Sequence, residues 1–327
     1  VRAVSISVAF LLGLSASIAS AESFNITAAK LDRFALLTNA TSFGTLTWRG
    51  GLELSSTNKK FGGLSGLIMT KDCASLLAVS DAGRWVKADV TYTGNAVSGL
   101  TSASIAPVLN EKGKPPKNKP WGDAEALATG PVGKTVVGFE THTRIGIYDL
   151  ARKGLKAKFR SLNPPQQIAN GPDNGELESV GYFATGTLTG NYIAIAESNF
   201  DAQGSTKAWI WNNNRSIAFS IKQLDDYEIT DLAVLPDADV LILQRSYGLT
   251  TLPGMAISRF SVRDIGIDKF VEPETLLEAK VPFYAIDNME GLAVCERGGE
   301  LLVNLISDDN FNTELQRTLL LQFSYTP

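Results

Sequence analysis

The sequence predicts an all-β fold, a single β-propeller of six blades, from three observations. First, short runs rich in Val, Ile, Leu, Thr and aromatic residues alternate with Gly, Asn, Asp and Pro turns. Examples are Thr135 to Phe139, Tyr192 to Ala196, Ala208 to Trp211, Val240 to Leu243 and Leu301 to Ile306. Second, no long stretch carries helical periodicity. Third, one short element recurs five times: Leu64-Ser65-Gly66-Leu67, Ala124-Glu125-Ala126-Leu127, Leu177-Glu178-Ser179-Val180, Ile229-Thr230-Asp231-Leu232 and Met289-Glu290-Gly291-Leu292. Its apolar anchors fall at 67, 127, 180, 232 and 292, at intervals of 60, 53, 52 and 60 residues. Strand-and-turn repeats of that period are the signature of propeller blades.

Each element leads through a turn into an apolar strand that ends in a polar cluster. The clusters are Ser80-Asp81-Ala82-Gly83-Arg84-Trp85, Phe139-Glu140-Thr141-His142, Ala196-Glu197-Ser198-Asn199-Phe200, Leu243-Gln244-Arg245-Ser246-Tyr247 and Ser307-Asp308-Asp309-Asn310-Phe311. From the anchor to the acid, or to Gln244 in the fourth repeat, the gaps are 14, 13, 17, 12 and 16. Five repeats plus the strand-like Phe43 to Ser55 make the count of six. Pairing of that segment with the C-terminal Thr318 to Tyr325 would close the ring and remove an exposed edge. The stretch Asn110 to Pro120, rich in Lys, Pro and Gly, reads as an exposed rim loop.

Residues 1–21 read as a secretory signal peptide. Arg2 gives a thin positive start, Val4 to Leu14 is apolar but short for a bilayer span, and Ala19-Ser20-Ala21 is a small-residue cleavage site. The propeller then occupies 22–327, exported to the periplasm or secreted. The 327-residue chain carries a net charge of -4, which becomes -4 - 1 = -5 without Arg2. No basic field is present to attract nucleic acid, and no later segment reads as a membrane span. The two cysteines, Cys73 and Cys295, are either a disulfide or two buried thiols, which geometry alone decides.

In a propeller the innermost strands line one channel, so acids some 50 residues apart become neighbours. The pool is Asp81, Glu125, Glu140, Glu178, Glu197, Asp231, Glu290, Asp308 and Asp309, with Asn199, Asn288 and Asn310 as neutral oxygens. Carboxylates so crowded repel unless protonated or bridged by a cation. Oxygen-only ligands favour calcium or magnesium, and one histidine with no Cys-x-x-Cys disfavours zinc. The expected metal ligands are Asp81, Glu125, Glu140, Glu178, Glu197, Asp309 and Asn310. Glu290, Asp308 and Arg245 are the candidate catalytic residues. Arg84, Arg144 and Arg317 are candidates for binding an anionic, phosphorylated small molecule, since guanidinium forks match phosphate geometry. Arg245 stands out because it lies almost where other repeats place an acid. Each arginine has the alternative of pairing with a neighbouring acid. His142, after Glu140, is a general acid–base candidate or merely a turn residue. No Gly-x-Ser-x-Gly elbow supports a serine hydrolase.

At these clusters the sequence resembles the phytase-like exported proteins, the family labelled "esterase-like activity of phytase". The segments that carry the resemblance are Phe61-Gly62-Gly63-Leu64-Ser65-Gly66-Leu67, Val79-Ser80-Asp81-Ala82-Gly83-Arg84-Trp85, Asp123-Ala124-Glu125-Ala126-Leu127, Leu243-Gln244-Arg245-Ser246-Tyr247, Asp287-Asn288-Met289-Glu290-Gly291-Leu292, and Ile306 to Phe311 with Gln316-Arg317-Thr318-Leu319-Leu320. The resemblance runs from about Phe61 to Phe323. It implies a propeller that hydrolyses phosphoric esters, with calcium bridging acidic side chains and substrate phosphate while a metal-activated water attacks phosphorus. The fourth repeat departs from the family pattern, with Gln244 where Glu is common. The expected activity is therefore a calcium-dependent phosphoric-ester hydrolase acting as a monomer. The competing expectations are a calcium-stabilised binding propeller without catalysis and a lactonase-type propeller hydrolase.

Overall fold

The chain opens with β1 (Glu22–Ser23), β2 (Thr27–Lys30), β3 (Ser42–Phe43) and the long β4 (Leu46–Ser55) before the first complete blade begins. The computed structural model describes residues 21–169, 177–247, 252–265 and 270–327. The expected signal peptide, apart from Ala21, lies outside the described residues.

Blade 1 is β5 (Leu64–Met69), β6 (Ser75–Ser80), β7 (Arg84–Thr93) and β8 (Ala96–Pro107), with β1 at its outer edge. Blade 2 is β9 (Ala124–Thr129), β10 (Thr135–Phe139), β11 (Arg144–Tyr148) and β12 (Arg160–Ser161). Blade 3 is β13 (Ser179–Tyr182), β14 (Tyr192–Phe200), β15 (Thr206–Trp211) and β16 (Ser216–Ile221). Blade 4 is β17 (Glu228–Val234), β18 (Val240–Ser246) and β19 (Gly254–Phe260), followed, after β20 (Phe270–Val271) has paired in parallel with β16, by β21 (Glu274–Lys280). The last blade takes β22 (Met289–Arg297), β23 (Glu300–Ser307) and β24 (Thr318–Tyr325) from the C-terminal end and β4 and β2 from the N-terminal end.

There are thus five blades among the described residues, not six. The fifth repeat supplies only three strands. Its β24 pairs antiparallel with β4, from Thr318 opposite Leu54 to Tyr325 opposite Leu46. The segment counted as an extra blade is the missing strand of the fifth.

The innermost strands β5, β9, β13, β17 and β22 pack side by side, and β22 also packs on β5. Between neighbouring blades lie five apolar clusters among the described residues, including one between blades 5 and 1 around Leu52, Leu67, Leu76 and Ile306. The five repeat anchors Leu67, Leu127, Val180, Leu232 and Leu292 are all buried. A glycine precedes two of them for a visible reason: a Cβ on Gly66 would stand 2.7 Å from Leu127 Cβ on the next inner strand. The close approach of inner strands excludes bulk there.

Cys73, in the β5–β6 turn, and Cys295, on β22, form a disulfide with Cα atoms 5.4 Å apart. It joins blades 1 and 5 at the channel end opposite the acidic clusters. Among the described residues no helix is long and apolar enough to cross a membrane.

Candidate functional site

One local irregularity recurs in the inner strands. Ladder register slips between Leu64 and Gly66, between Gly138 and Phe139 opposite Glu125, between Ile229 and Asp231, and between Met289 and Gly291. The residue squeezed out of pairing is Ser65, Glu125, Thr230 or Glu290, always two before the apolar anchor. In blade 3 the matching residue, Glu178, precedes the strand. A bulge unpairs one residue and re-aims its side chain. Repeated at one place in each blade, it delivers a ring of two hydroxyls and three carboxylates.

A second ring comes from the ends of the second strands. Ser80 pairs with Leu64, Gln244 with Ile229 and Ser307 with Met289, so the next residues, Asp81, Arg245 and Asp308, are equivalent. Glu140 follows Phe139 in the same way, and Glu197 holds the place in blade 3. Arg245, rather than the Gln244 used to align the repeats, stands where four other blades carry an acid. The bulge at Thr230 moves the register by the one residue that sequence spacing missed.

The two rings form one charge cluster. Carboxylate oxygens of Asp123, Glu125 and Glu140 lie within 4.8 Å of one another, as do those of Glu140, Glu178 and Glu197. Ser65 of blade 1 hydrogen-bonds to Glu125 of blade 2. Arg245 donates from Nη2 to Glu197 at 2.8 Å and from Nη1 to Asn288 at 2.9 Å and to Glu290, and lies 3.7 Å from Glu228. Asn288 Nδ2 donates to the same Glu290 oxygen at 2.8 Å. Lys119, on the short helix α1 (Lys119–Gly122), bridges Asp81 at 2.7 Å and Asp123 at 2.9 Å. Its side chain is 60% exposed, whereas that of Arg245 is only 17% exposed.

Burial dominates the electrostatics. It pushes Glu290 up to about 8 despite Arg245, with Asp308 and Glu197 adding like charge. Burial likewise pushes Asp308 and Glu197 up to about 7 each. Glu125 and Glu178 are raised well above the usual carboxylate range by burial and by neighbouring carboxylates. Arg245, in turn, is raised by Glu290, Glu197 and Glu178, which outweigh its own burial.

An acid whose folded-state pKa lies above its unfolded value stabilises the fold below the unfolded value, about 4. That contribution is lost as pH rises through the folded value. The metal-free protein should therefore lose thermal stability from about pH 5 to pH 8. Any cation that binds these carboxylates at a hundred times its Kd should restore about 2.7 kcal/mol at pH 8. A melting temperature that is flat or rises over this range in chelator would overturn the assignment.

The structure brings together Asp81, Glu125, Glu140, Glu178, Glu197, Glu290, Asp308 and Arg245. The remaining expected residues are engaged elsewhere. Asp309 accepts from Gly63 N and Phe311 N through Oδ1 and from Thr318 through Oδ2, so it ties the β22–β24 blade to the loop before β5. This loop needs glycine: Gly63 has φ +63°, and a Cβ there would lie 2.2 Å from Asp81 Oδ1. Asn310 is an exposed left-handed turn residue whose amide donates to Gln316. Asp231 accepts the backbone amides of Leu232 and Leu292, bracing blade 4 to blade 5.

Of the three arginines expected to bind the anion, Arg317 holds Asp287 and the Ile286 carbonyl. Arg144 donates to the carbonyls of His142 and Trp121 and lies over the Phe139 ring. Arg84 lies close enough to Glu22 to lower its carboxyl, behind the stronger effect of Lys60. His142 is exposed and packs against Trp121 with the two rings tilted by 52°. Trp85 is buried against Tyr148 rather than walling the site.

Two members of the cluster escaped sequence reasoning. Lys119 sits in the segment read as a rim loop, where a run of lysines hides the one that folds inward. Asp123 was visible only as the first residue of Asp-Ala-Glu-Ala-Leu, one step before the strand that carries Glu125.

The fold and site define a five-bladed β-propeller whose channel mouth gathers carboxylates from four blades around an arginine from the remaining one. The chain belongs to the phytase-like family, described as esterase-like activity of phytase, which matches residues 59–311. No curated protein matches the sequence. Among solved structures it is similar to the N-terminal domain of Nup159, with 11% identity, a TM-score of 0.37 and coverage of 88% of this chain and 98% of that one. It is also similar to U3-55K, with 9% identity, a TM-score of 0.39 and coverage of 80% and 95%. For the β-propeller domain of Myceliophteria thermophila Cps50 (Swd1) the values are 9%, 0.35, 75% and 65%.

Proposed function

We propose that this chain is an exported, calcium-dependent hydrolase of phosphoric esters whose chemistry occurs at the acidic channel mouth. The observation that carries this reading is the pair of carboxylate triads sharing Glu140. An all-oxygen donor set of buried, mutually repelling carboxylates fits calcium. Glu125, Glu140 and Glu178, with Asp123 and Glu197 at either side, would hold it. When bound, calcium offsets substrate charge and acidifies a water molecule.

The side chains around it have separable tasks. Asp308 and Glu290, raised to near neutrality, are suited to take a proton from water or to give one to the leaving alkoxide. Because Arg245 and Asn288 both engage Glu290 Oε1, Oε2 is the oxygen left to exchange a proton. Arg245 fixes that carboxylate and supplies positive charge. Lys119 uses two of its three donors on Asp81 and Asp123 and can offer the third to an incoming anion.

Export is supported by the leader-like residues 1–21 and by the Cys73–Cys295 disulfide, which suits an oxidising compartment such as the periplasm or the exterior. The mature unit is then residues 22–327, a monomer, and we take the β4–β24 pairing to be what shuts its ring. A second reading, a calcium-stabilised binding propeller, draws on the engagement of Arg84, Arg144 and Arg317 outside the mouth.

The deciding assay strips the mature protein of metal. It follows phosphate release from phytate, nitrophenol release from nitrophenyl phosphate mono- and diesters, and lactone opening, each with and without calcium. Calcium-dependent phosphate-ester turnover should fall about 10²- to 10⁴-fold in Glu290→Ala and Asp308→Ala. Calcium-dependent melting without any turnover would sink the hydrolase reading for these substrates and leave the binding propeller. Lactone turnover alone would assign the other hydrolase class.

A further inference from the structure

Beside the acidic mouth lies a cavity of opposite character. It measures about 320 Å³, at the low end of the roughly 300–1,000 Å³ of ligand pockets. Its roof is the 110–120 segment, and its walls include Trp121, Phe139, Tyr148 and Phe159. The roof carries Lys112, Lys114, Lys117 and Lys119 against the single acid Glu111, a local charge of +4 - 1 = +3 in a chain of net charge -4. It is tied down rather than loose. Asn110 Oδ1 accepts the amides of Lys112 and Lys114, and Asp123 N donates to the Lys119 carbonyl.

Arg144 lines this cavity and is its least expected member. Its guanidinium is 3.9 Å from the Phe139 ring centroid and within 6 Å of those of Trp121 and Phe159. It donates only to backbone carbonyls, those of His142 and Trp121, and no carboxylate lies within ion-pair distance among the described residues. The one carboxylate whose charge reaches it, Asp123, already accepts from Lys119 and Thr141. Burial accordingly pulls the guanidinium down from its usual range. A half-buried cation among aromatic rings, with Glu111 in the same lining but not paired to it, is electrostatically incomplete.

We propose that this cavity is a binding site, separate from the acidic mouth, for a small aromatic anion: a ring bearing a carboxylate or a phosphate. Arg144 pairs with the anionic group, Lys112 and Lys117 steer it in, and Trp121 and Phe159 stack on the ring. A non-aromatic anion would forgo the stacking. A neutral ring would leave Arg144 uncompensated. The site stands independently of the hydrolase reading, because none of its residues belongs to the carboxylate triads.

The test is calorimetric titration of the full chain with 2-naphthoate and, separately, 2-naphthyl phosphate, in the presence of chelator. Whichever binds more tightly identifies the anionic group. Cyclohexanecarboxylate and 2-naphthol serve as half-ligands. One-to-one binding is expected, weakened at least about tenfold by Arg144→Gln and by Trp121→Ala, and weakened by salt at roughly 0.5 M. Trp121 is half exposed, so its replacement tests the site even if Arg144→Gln unfolds the loop. Glu290→Gln should leave the binding unchanged, which separates this cavity from the mouth. The proposal fails if neither aromatic anion binds at about 10 mM, if cyclohexanecarboxylate binds as well, or if Trp121→Ala has no effect.

Discussion

Arg245→Met is expected to destabilise the metal-free protein by about 3–5 kcal/mol at pH 8, read from the midpoint of urea denaturation. The side chain holds Glu290 and Glu197 and lies near Glu228, and only 17% of it is exposed. Methionine fills much of the same volume but leaves buried carboxylates with no counter-charge. Removing one partner of a buried pair costs far more than removing both. The double variant Arg245→Met with Glu290→Met should therefore recover a large part of the loss. The loss should also shrink at pH 5, where Glu290, pushed up to about 8, is already protonated. On the proposed reading, calcium at the mouth should offset part of it at pH 8. A loss below about 1 kcal/mol at pH 8 would mean that water, not Arg245, compensates these carboxylates.

Removing the disulfide should have an effect of similar size but different origin. Cys73 and Cys295 are separated by 222 residues, so the bond closes one loop over about seven tenths of the propeller when the chain unfolds. On the chain-entropy estimate a loop of that length contributes about 5 kcal/mol, and measured losses for native disulfides run at about 2–5 kcal/mol. The reduced wild type and the Cys73→Ala, Cys295→Ala variant should both unfold at lower urea concentration by that equivalent. The proposed activity at the mouth should survive in the folded protein, because the bond lies at the far ends of β5 and β22 from Ser65 and Glu290. If reduction abolished turnover without shifting the unfolding midpoint, the bond would be tuning the site rather than bracing blades 1 and 5.

Much of this molecule was legible in the chain, because a blade is a local object. The alternation of apolar runs and turns, and the five elements anchored on Leu67, Leu127, Val180, Leu232 and Leu292, depend only on residues close in sequence. The acids at Glu125, Glu178 and Glu290, and at Asp81, Glu140, Glu197 and Asp308, could be gathered because a propeller brings equivalent positions to one axis. The family resemblance rested on the same segments.

The rest was decided by contacts that have no fixed distance along the chain. The number of blades turned on β4 pairing with β24, some 270 residues away, which made one blade from two partial ones. The place of Arg245 in the second ring turned on a bulge at Thr230, and a bulge shifts register by one residue without a sequence signal strong enough to count. Lys119 looked like one surface lysine among several until α1 set it between Asp81 and Asp123. Arg84, Arg144 and Arg317 looked like ligands for an anion at the acidic mouth until packing set Arg84 near Glu22, Arg144 against two carbonyls beside a separate cavity, and Arg317 on Asp287. Sequence alone therefore determined the kind of blade and the stock of carboxylates, since strand patterning and residue type are local properties. Tertiary structure alone determined which charges meet, because electrostatic pairing and burial depend on distances between residues that the chain order leaves open.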